Sequence, residues 1–364
     1  MKPKLRFSNF INDYEIKDVS DITSNISSGK ISKQLEDGEY NVYGSMGIIG
    51  KSNFYDYAGE KVLVARVGAN AGSVNKINEK CCISDNTLVL EPKDILNDYL
   101  YYALSHYNPK KLIFGSGQPL VTGGQLKKIK LGIPSKEEQL KVSNFLSLLD
   151  KKIELQSKKI EDLKLFKMST LDKYFNKDTC KEKALLKKYC SCLTGKSKAD
   201  KVDINGKYYI MDMGTVNSDG NILKTKPTFC NLDLLSYGDL VMPKDDIGGG
   251  LIIGKTGFID EDNKYVLGDH VYLLKVNDIN SLFLHYQINS KYINKQLKRK
   301  VTGSAQLGLK SDNILNQEIY IYSEEEQKKI ANIFKLIDRK IELETEKIFK
   351  LINLKKGLMQ NMFV

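Results

Sequence analysis

Apolar residues recur at steps of three and four along two stretches of the chain. In the first they fall at Leu146, Leu149, Ile153, Ile160 and Leu163, with an interruption at Gln156. In the second they fall at Phe334, Ile337, Ile341, Ile348 and Leu351, then Leu354, Leu358 and Met362, with an interruption at Glu344. A narrow apolar seam with charged flanks predicts a helix that pairs with one other helix, as in a two-helix coiled coil. Ser135 ahead of Glu137 and Glu138, and Ser323 ahead of Glu325 and Glu326, mark helix starts: a capping hydroxyl, then acids near the positive end of the dipole. The stretches 133–175 and 321–363 align without a gap at an offset of 188, with 18 of 43 pairs identical. Shared helix composition does not give that many identities, so one module is present twice. Neither helix buries its stripe alone. The expectation is an antiparallel pair in a pseudo-twofold molecule.

Between the helical stretches the period changes. Tyr40–Gly44, Lys61–Ala65 and Asn86–Leu90 read as strands, punctuated by Gly44, Gly47, Gly50, Gly68 and Gly72. A short helix is expected at Tyr14–Ser20 and another at Asn97–His106. The second mixed block echoes the first faintly. Ser28-Gly-Lys30 answers Thr194-Gly-Lys196, Gly59–Val64 answers Gly238–Met242, and Asp85, Leu88 and Leu90 answer Asp269, Tyr272 and Leu274. The predicted fold class is α/β in the α+β sense. Mixed blocks at 1–132 and 179–320 alternate with helical regions at 133–178 and 321–364.

Charge then narrows the function classes. The 364 residues carry a formal net charge of +11, which permits nucleic acid or an acidic membrane surface as partner. No apolar run approaches a membrane span, and Met1-Lys-Pro-Lys-Leu-Arg6 lacks the apolar core of a signal peptide. The six cysteines, including the adjacent Cys81-Cys82 and the Cys190-x-Cys192 step, do not have zinc-ligand spacing. No metal site is expected, and a reduced, cytoplasmic protein fits best.

Catalytic motifs are weak. Gly249–Thr256 satisfies GxxxxGK[ST], but its centre is the strand-like Leu-Ile-Ile and turn-like sequence follows, where a phosphate loop needs a helix. Its first-block counterpart, Ser45–Ser52, lacks the first glycine. Phe114-Gly-Ser-Gly117 has no methyltransferase catalytic loop to accompany it; Asn108-Pro109-Lys110 lacks the second proline and the aromatic. His106, His270 and His285 make no metal or nucleophile pairing visible in sequence. What remains is basic charge beside a repeated loop. Ser290–Lys300 holds five basic residues and leads into Gly303-Ser-Ala-Gln306; His106–Lys111 leads into Gly115-Ser-Gly-Gln118.

Taken together, the layout resembles the specificity subunit of type I restriction–modification enzymes. The resemblance spans nearly the whole chain. It is carried by Gly115-Ser-Gly-Gln-Pro119, by Ile133-Pro134 with Glu137-Glu-Gln139 and Asp150, by their second copies, and by Pro3-Lys-Leu-Arg-Phe7. Two departures are the lack of tryptophan, with Tyr14 where the family often has one, and Ile321-Tyr322 in place of Ile-Pro. The resemblance implies two target-recognition domains, each reading half of a bipartite double-stranded DNA sequence, with the helices as a ruler. It implies a non-catalytic chain without its own cofactor. Two modification subunits would bind S-adenosylmethionine, and restriction subunits would use ATP and Mg. A helix over 153–175 would span roughly 35 Å, about one turn of duplex. Within the recognition domains, basic residues are expected on phosphates and Ser or Gln near base edges. The candidates are Lys51, Arg66, Lys110, Lys111, Ser116 and Gln118, then Lys255, Lys298, Arg299, Lys300, Ser304 and Gln306. The alternatives are a structural scaffold joined through its helices, and a nucleotide-binding protein using Gly249–Thr256.

Overall fold

The computed structural model describes residues 1–31, 36–45, 47–113, 118–178, 181–303 and 306–364. Its helices are α1 (Asn97–Tyr107), α2 (Gly123–Lys127), α3 (Lys136–Tyr174), α4 (Ser281–Asn289), α5 (Lys291–Lys298), α6 (Ser311–Leu315) and α7 (Glu324–Met362). The chain forms two compact units, Met1–Ser157 with Glu346–Val364, and Lys158–Thr345. The division cuts α3 and α7 near their middles, so each unit owns part of both long helices.

In the first unit, a four-stranded antiparallel sheet runs in the order Thr23–Ser28, Thr87–Pro92, Glu60–Ala65, Val74–Asn78. Alternate side chains of a strand point to opposite faces. Val62, Val64, Leu88 and Leu90 therefore pack with Tyr99, Leu100, Ala103 and Leu104 of α1. Leu63 and Val89 on the other face pack with Ile77, Cys81 and Ile83. A three-stranded sheet runs Gly47–Ser52, Tyr40–Gly44, Cys81–Ile83, with the last pair parallel. Glu15–Asp18 pairs with Lys130–Ile133 just before α3. That strand, followed by a 3-10 turn at Val19–Asp21, replaces the helix expected at Tyr14–Ser20. Its partner strand satisfies the backbone and overrides a four-residue local preference.

The second unit repeats the strand order of both sheets. Its four-stranded sheet runs Cys190–Thr194, Val271–Val276, Leu240–Pro243, Gly257–Phe258. Its three-stranded sheet runs Pro227–Thr228, Tyr208–Met211, Tyr265–Leu267, again with the last pair parallel. Lys183–Leu185 pairs with Glu318–Tyr320 ahead of α7. The Ser-Gly-Lys and Thr-Gly-Lys echoes now have a cause. A Cβ on Gly29 would lie 2.3 Å from the Ile83 carbonyl oxygen, and one on Gly195 2.6 Å from those of Leu267 and Gly268. Only glycine lets these backbones approach.

The long helices start as expected. Ser135 Oγ accepts from the Glu138 N–H and Ser323 Oγ from the Glu326 N–H. Gln139 and Gln327 then do identical work. Gln139 accepts from the Leu96 N–H (3.0 Å) and donates to the Pro134 carbonyl; Gln327 accepts from the Asn280 N–H (2.8 Å) and donates to the Tyr322 carbonyl. Each buried amide ties the strand exit and helix start to the cap of the domain's own helix, α1 or α4.

Both α3 and α7 have 39 residues, so the helix is continuous well ahead of Ile153. In the second unit Lys159 pairs with Glu344 (2.9 Å) and Lys167 with Asp338 (2.5 Å), which makes the segments antiparallel. Leu146 and Phe334 are fully buried, and the other seam positions, Leu149, Ile153, Ile160, Leu163, Ile337, Ile341, Ile348 and Leu351, are half-buried. Leu354 is not in the seam: it is exposed, and Lys355 turns inward beside Asp150. The interruption at Glu344 is a carboxylate only 1% exposed, held by Lys159 and by Lys340 (3.1 Å).

Candidate nucleic-acid interface

In the first unit, the backbone gathers most of the candidates at one edge. The Arg66 carbonyl accepts from the Val121 N–H and the Pro119 carbonyl from the Gly68 N–H, which lays the segment after Gln118 along Arg66–Gly68. Gly72 lies against the turn Pro109–Leu112: a Cβ there would sit 2.5 Å from the Lys110 nitrogen. Asn108, at φ 60°, turns the chain out of α1 into that turn. Lys110, Lys111 and Gln118 are exposed and Arg66 is half-buried. Lys51 stands in the other sheet and donates to Asn41 Oδ1 at 2.8 Å. Ser116 lies outside the described residues.

The second unit builds its edge from two adjoining loops. Thr302 bridges Gly308, and Leu307–Gly308 pairs with Asp245–Asp246. The turn that carries the exposed Gln306 therefore lies beside the loop 246–252. Gly303 sits at φ +99°, where a Cβ would meet the Gln306 carbonyl oxygen at 2.1 Å. The neighbouring loop is fixed by Asp246, which accepts from the Gly248 (2.6 Å) and Ile252 (2.9 Å) N–H groups. It presents Ile247 at 69% and Leu251 at 63% exposure, residues the charge-based reading passed over. The signal was in the flanking sequence: an acid followed by Gly-Gly-Gly between two apolar residues. Ser304 lies outside the described residues.

The basic run after α5 divides into different roles. Arg299 is exposed, and Lys298 is half-buried on the rim of a cavity. Lys300 turns inward. Its ammonium donates to Gln317 Oε1 (2.9 Å) and to the carbonyls of Asn313 (3.3 Å) and Asn316 (3.4 Å), and burial lowers its pKa. Lys255 is half-buried, donates to the Asn289 carbonyl at 3.1 Å, and is pushed down to about 8 by burial and then by the Lys298 charge. Lys110, Lys111 and Arg299 are exposed and Arg66 is half-buried, each in its own unit, whereas Lys300 and Lys255 turn to oxygen partners of their own domain.

The Gly249–Thr256 stretch does not make a phosphate loop. Its centre is a turn rather than the expected strand, with the Lys255 N–H donating to the Ile252 carbonyl. Thr256 is buried, its N–H on Asn289 Oδ1 and its hydroxyl on His285 Nδ1, and the strand Gly257–Phe258 follows. Among the described residues, Asp212, Asp269 and His270 bring ligand-type atoms within 4.8 Å of one another. Lys226 already holds Asp212 at 2.6 Å and Asp245 holds His270 at 3.1 Å, so these groups are engaged with one another and with their neighbours. No helix among the described residues is long and apolar enough to cross a membrane.

Comparison with known proteins agrees with this organisation. A family model described as the type I restriction modification DNA specificity domain matches residues 11–165 and again 191–353. The specificity subunit of the type I restriction enzyme MjaVIII of Methanocaldococcus jannaschii is 28% identical over 327 residues, 82% of this chain and 77% of that protein. A solved S subunit of a type I restriction–modification system from M. genitalium shares the fold over 100% of this chain and 99% of its own, with a TM-score of 0.70 at 18% identity. A structure from work on complex assembly and conformational transition of the type I system covers 97% of this chain and 98% of its own, with a TM-score of 0.58 at 12% identity.

Proposed function

The chain belongs to the type I restriction–modification DNA specificity family, and from that premise we propose that its two units read the two halves of one bipartite DNA target. The observation that carries this reading is the duplication itself. The same sheet order occurs in both units, and each unit carries a loop edge beside exposed basic residues. Phosphate contacts from Arg66, Lys110, Lys111 and Arg299 would set register, while Gln118, Gln306 and the Ile247–Leu251 loop would face base edges.

In this reading the chain itself is non-catalytic. Two modification subunits would supply S-adenosylmethionine-dependent adenine methylation, and restriction subunits the ATP- and Mg-dependent steps. The helices would fix the spacer and carry those partners. Supporting that role, apolar side chains stay exposed at matching repeat positions of α3 and α7: Leu148 at 68% with Leu336 at 70%, and Leu155 at 59% with Leu343 at 36%. Large exposed apolar residues kept in a pattern mark interaction surfaces.

The test is a map of N6-methyladenine in the host genome with and without this chain. Loss of the mark at one two-part motif with a fixed spacer would support the reading. No change, together with no salt-sensitive DNA binding in the presence of a co-purified methyltransferase partner, would favour a scaffold role. Removing one turn from each long helix should change the spacer and leave both half-sites as they were.

A further inference from the structure

The second unit carries an open-sided cavity of about 480 Å³ where the end of α3 and the first half of α7 meet α4 and α5. Pockets of about 300–1,000 Å³ hold small molecules. Two features give this one a chemical character. The first is charge: six lysines line it against three aspartates. Two of those aspartates are already taken, Asp338 by Lys167 (2.5 Å) and Asp219 by Lys164 (3.5 Å). Among the described residues, the ammonium groups of Lys291, Lys295 and Lys298 have no hydrogen bond or ion pair, and Lys255 has only the Asn289 carbonyl. The second feature is the wall. Met168, Leu171, Leu251 and Ile341 give it an apolar lining beside the lysines.

Lys255 lies deepest among these cations. Burial and the Lys298 charge disfavour its ionised form, and the opposite charge of a bound anion would favour it. The first unit treats the equivalent place differently. There Tyr101 stands beside Tyr102 as His285 stands beside Tyr286, and Lys76 covers the Tyr101 ring while pairing with Asp98 at 2.5 Å. The feature thus belongs to the second unit and is not explained by the duplicated architecture.

We propose that this cavity binds a nucleotide phosphate, with Lys255 and Lys298 on the phosphate oxygens and the Met168–Leu251–Ile341 wall against the base. An inorganic anion would leave the apolar wall wet, and a neutral apolar ligand would leave the cations uncompensated. A nucleotide satisfies both. The site shares Leu251 with the loop 247–251, but Gln306 and Arg299 do not line it. Its nucleotide would be either free or one unit of a single strand, and these sources are separable.

Isothermal titration calorimetry on the full chain, with adenosine monophosphate, inorganic phosphate and adenosine as separate probes, tests the assignment. Saturable binding of the monophosphate at one site per chain is expected, at least tenfold tighter than phosphate or adenosine. Lys255→Met and the rim variant Lys298→Met should each weaken it at least tenfold, and Lys76→Met should leave it unchanged. Lys298 has no partner whose loss would disturb folding, so its variant reports on the site alone. No saturable binding by the wild type, or equal binding by a folded Lys298→Met chain, would overturn the proposal. Displacement of the monophosphate by a short single-stranded oligonucleotide would assign the site to a strand; failure to displace it would assign the site to free nucleotide.

Discussion

Asp150 and Asp338, one repeat length apart in sequence, hold equivalent partners in their separate units. Asp150 accepts the Tyr102 hydroxyl at 2.7 Å and pairs with Lys355; Asp338 accepts the Tyr286 hydroxyl at 2.8 Å and pairs with Lys167. Each lysine also lies over its tyrosine ring, at 5.3 and 5.2 Å. Each triad joins α3, α7 and one domain helix. Replacing either aspartate by alanine leaves a largely buried lysine and a tyrosine hydroxyl unpaired, and should cost about 2 kcal/mol. Urea unfolding measures it. Matching losses from the two variants are expected, and a loss in only one would mean the two triads do not carry equal weight.

Glu138 is the most enclosed carboxylate at the start of α3. It is 1% exposed, accepts two hydrogen bonds from Arg6 (2.8 and 2.7 Å) and one from Tyr14 (3.0 Å). Breaking a buried pair from one side costs about 3–5 kcal/mol. Glu138→Ala should therefore lower the unfolding midpoint of the first unit far more than Arg6→Met combined with Glu138→Leu. Equal losses would show that packing, not the ion pair, sets the stability there.

Glu344 makes the opposite case. Its carboxylate is buried, but its partners Lys159 and Lys340 are each about half exposed and return to solvent if it is removed. Glu344→Leu should preserve or raise thermal stability, while weakening the choice of helix partner that a polar seam residue imposes. Size-exclusion chromatography with light scattering should then show self-association absent from the parent chain. A monodisperse parent-like profile would remove the specificity role.

Arg299 and Lys300 are neighbours that should separate cleanly. Arg299→Ala is expected to weaken all DNA sequences alike and to reduce the salt slope by about one. Lys300→Met should leave the slope unchanged and cost about 1–2 kcal/mol of stability, because its three oxygen partners lose a donor. A flattened slope in Lys300→Met would return it to the phosphate-contacting group.

Acid stability has one identifiable contributor in the first unit. Tyr43 and then Asn41 donate to the Glu79 carboxylate and hold it below the usual range, whereas burial and the bond to Glu79 push Tyr43 up to about 12. A depressed carboxyl contributes stability that is present above its ordinary pKa and lost as pH falls through the folded value. The raised tyrosine contributes stability present below about 10 and lost towards about 12. Glu79→Gln should flatten the acid limb of a stability–pH profile, and an unchanged limb would exclude the pair as its source.

The long helices, α1, the duplication and the strand pairs around Leu63 and Leu88 were legible because they rest on periodicity and glycine placement, which are local. The strand at Glu15–Asp18 was not, because four residues carry no period and its partner lies over a hundred residues away. Lys300 was misjudged for a related reason. Charge in sequence does not say which way a side chain turns, and Lys300 turns to partners 13 to 17 residues on. Leu354 shows the converse: an apolar residue in step with the seam faces outward, while Lys355 takes the inward place. The loop 246–252 was visible only as glycine-rich sequence, since its shape depends on Asp246 gripping two backbone amides.

The chain crosses the divide between its units twice, once in each long helix, and this orders events during synthesis. The second unit is one uninterrupted segment, Lys158–Thr345, and has everything it needs once Thr345 leaves the ribosome. The first unit begins earlier but lacks Leu358, Met359, Met362 and Phe363 from its core until the last helix turns emerge. The half made first would therefore mature last, waiting with an apolar groove open while its twin folds.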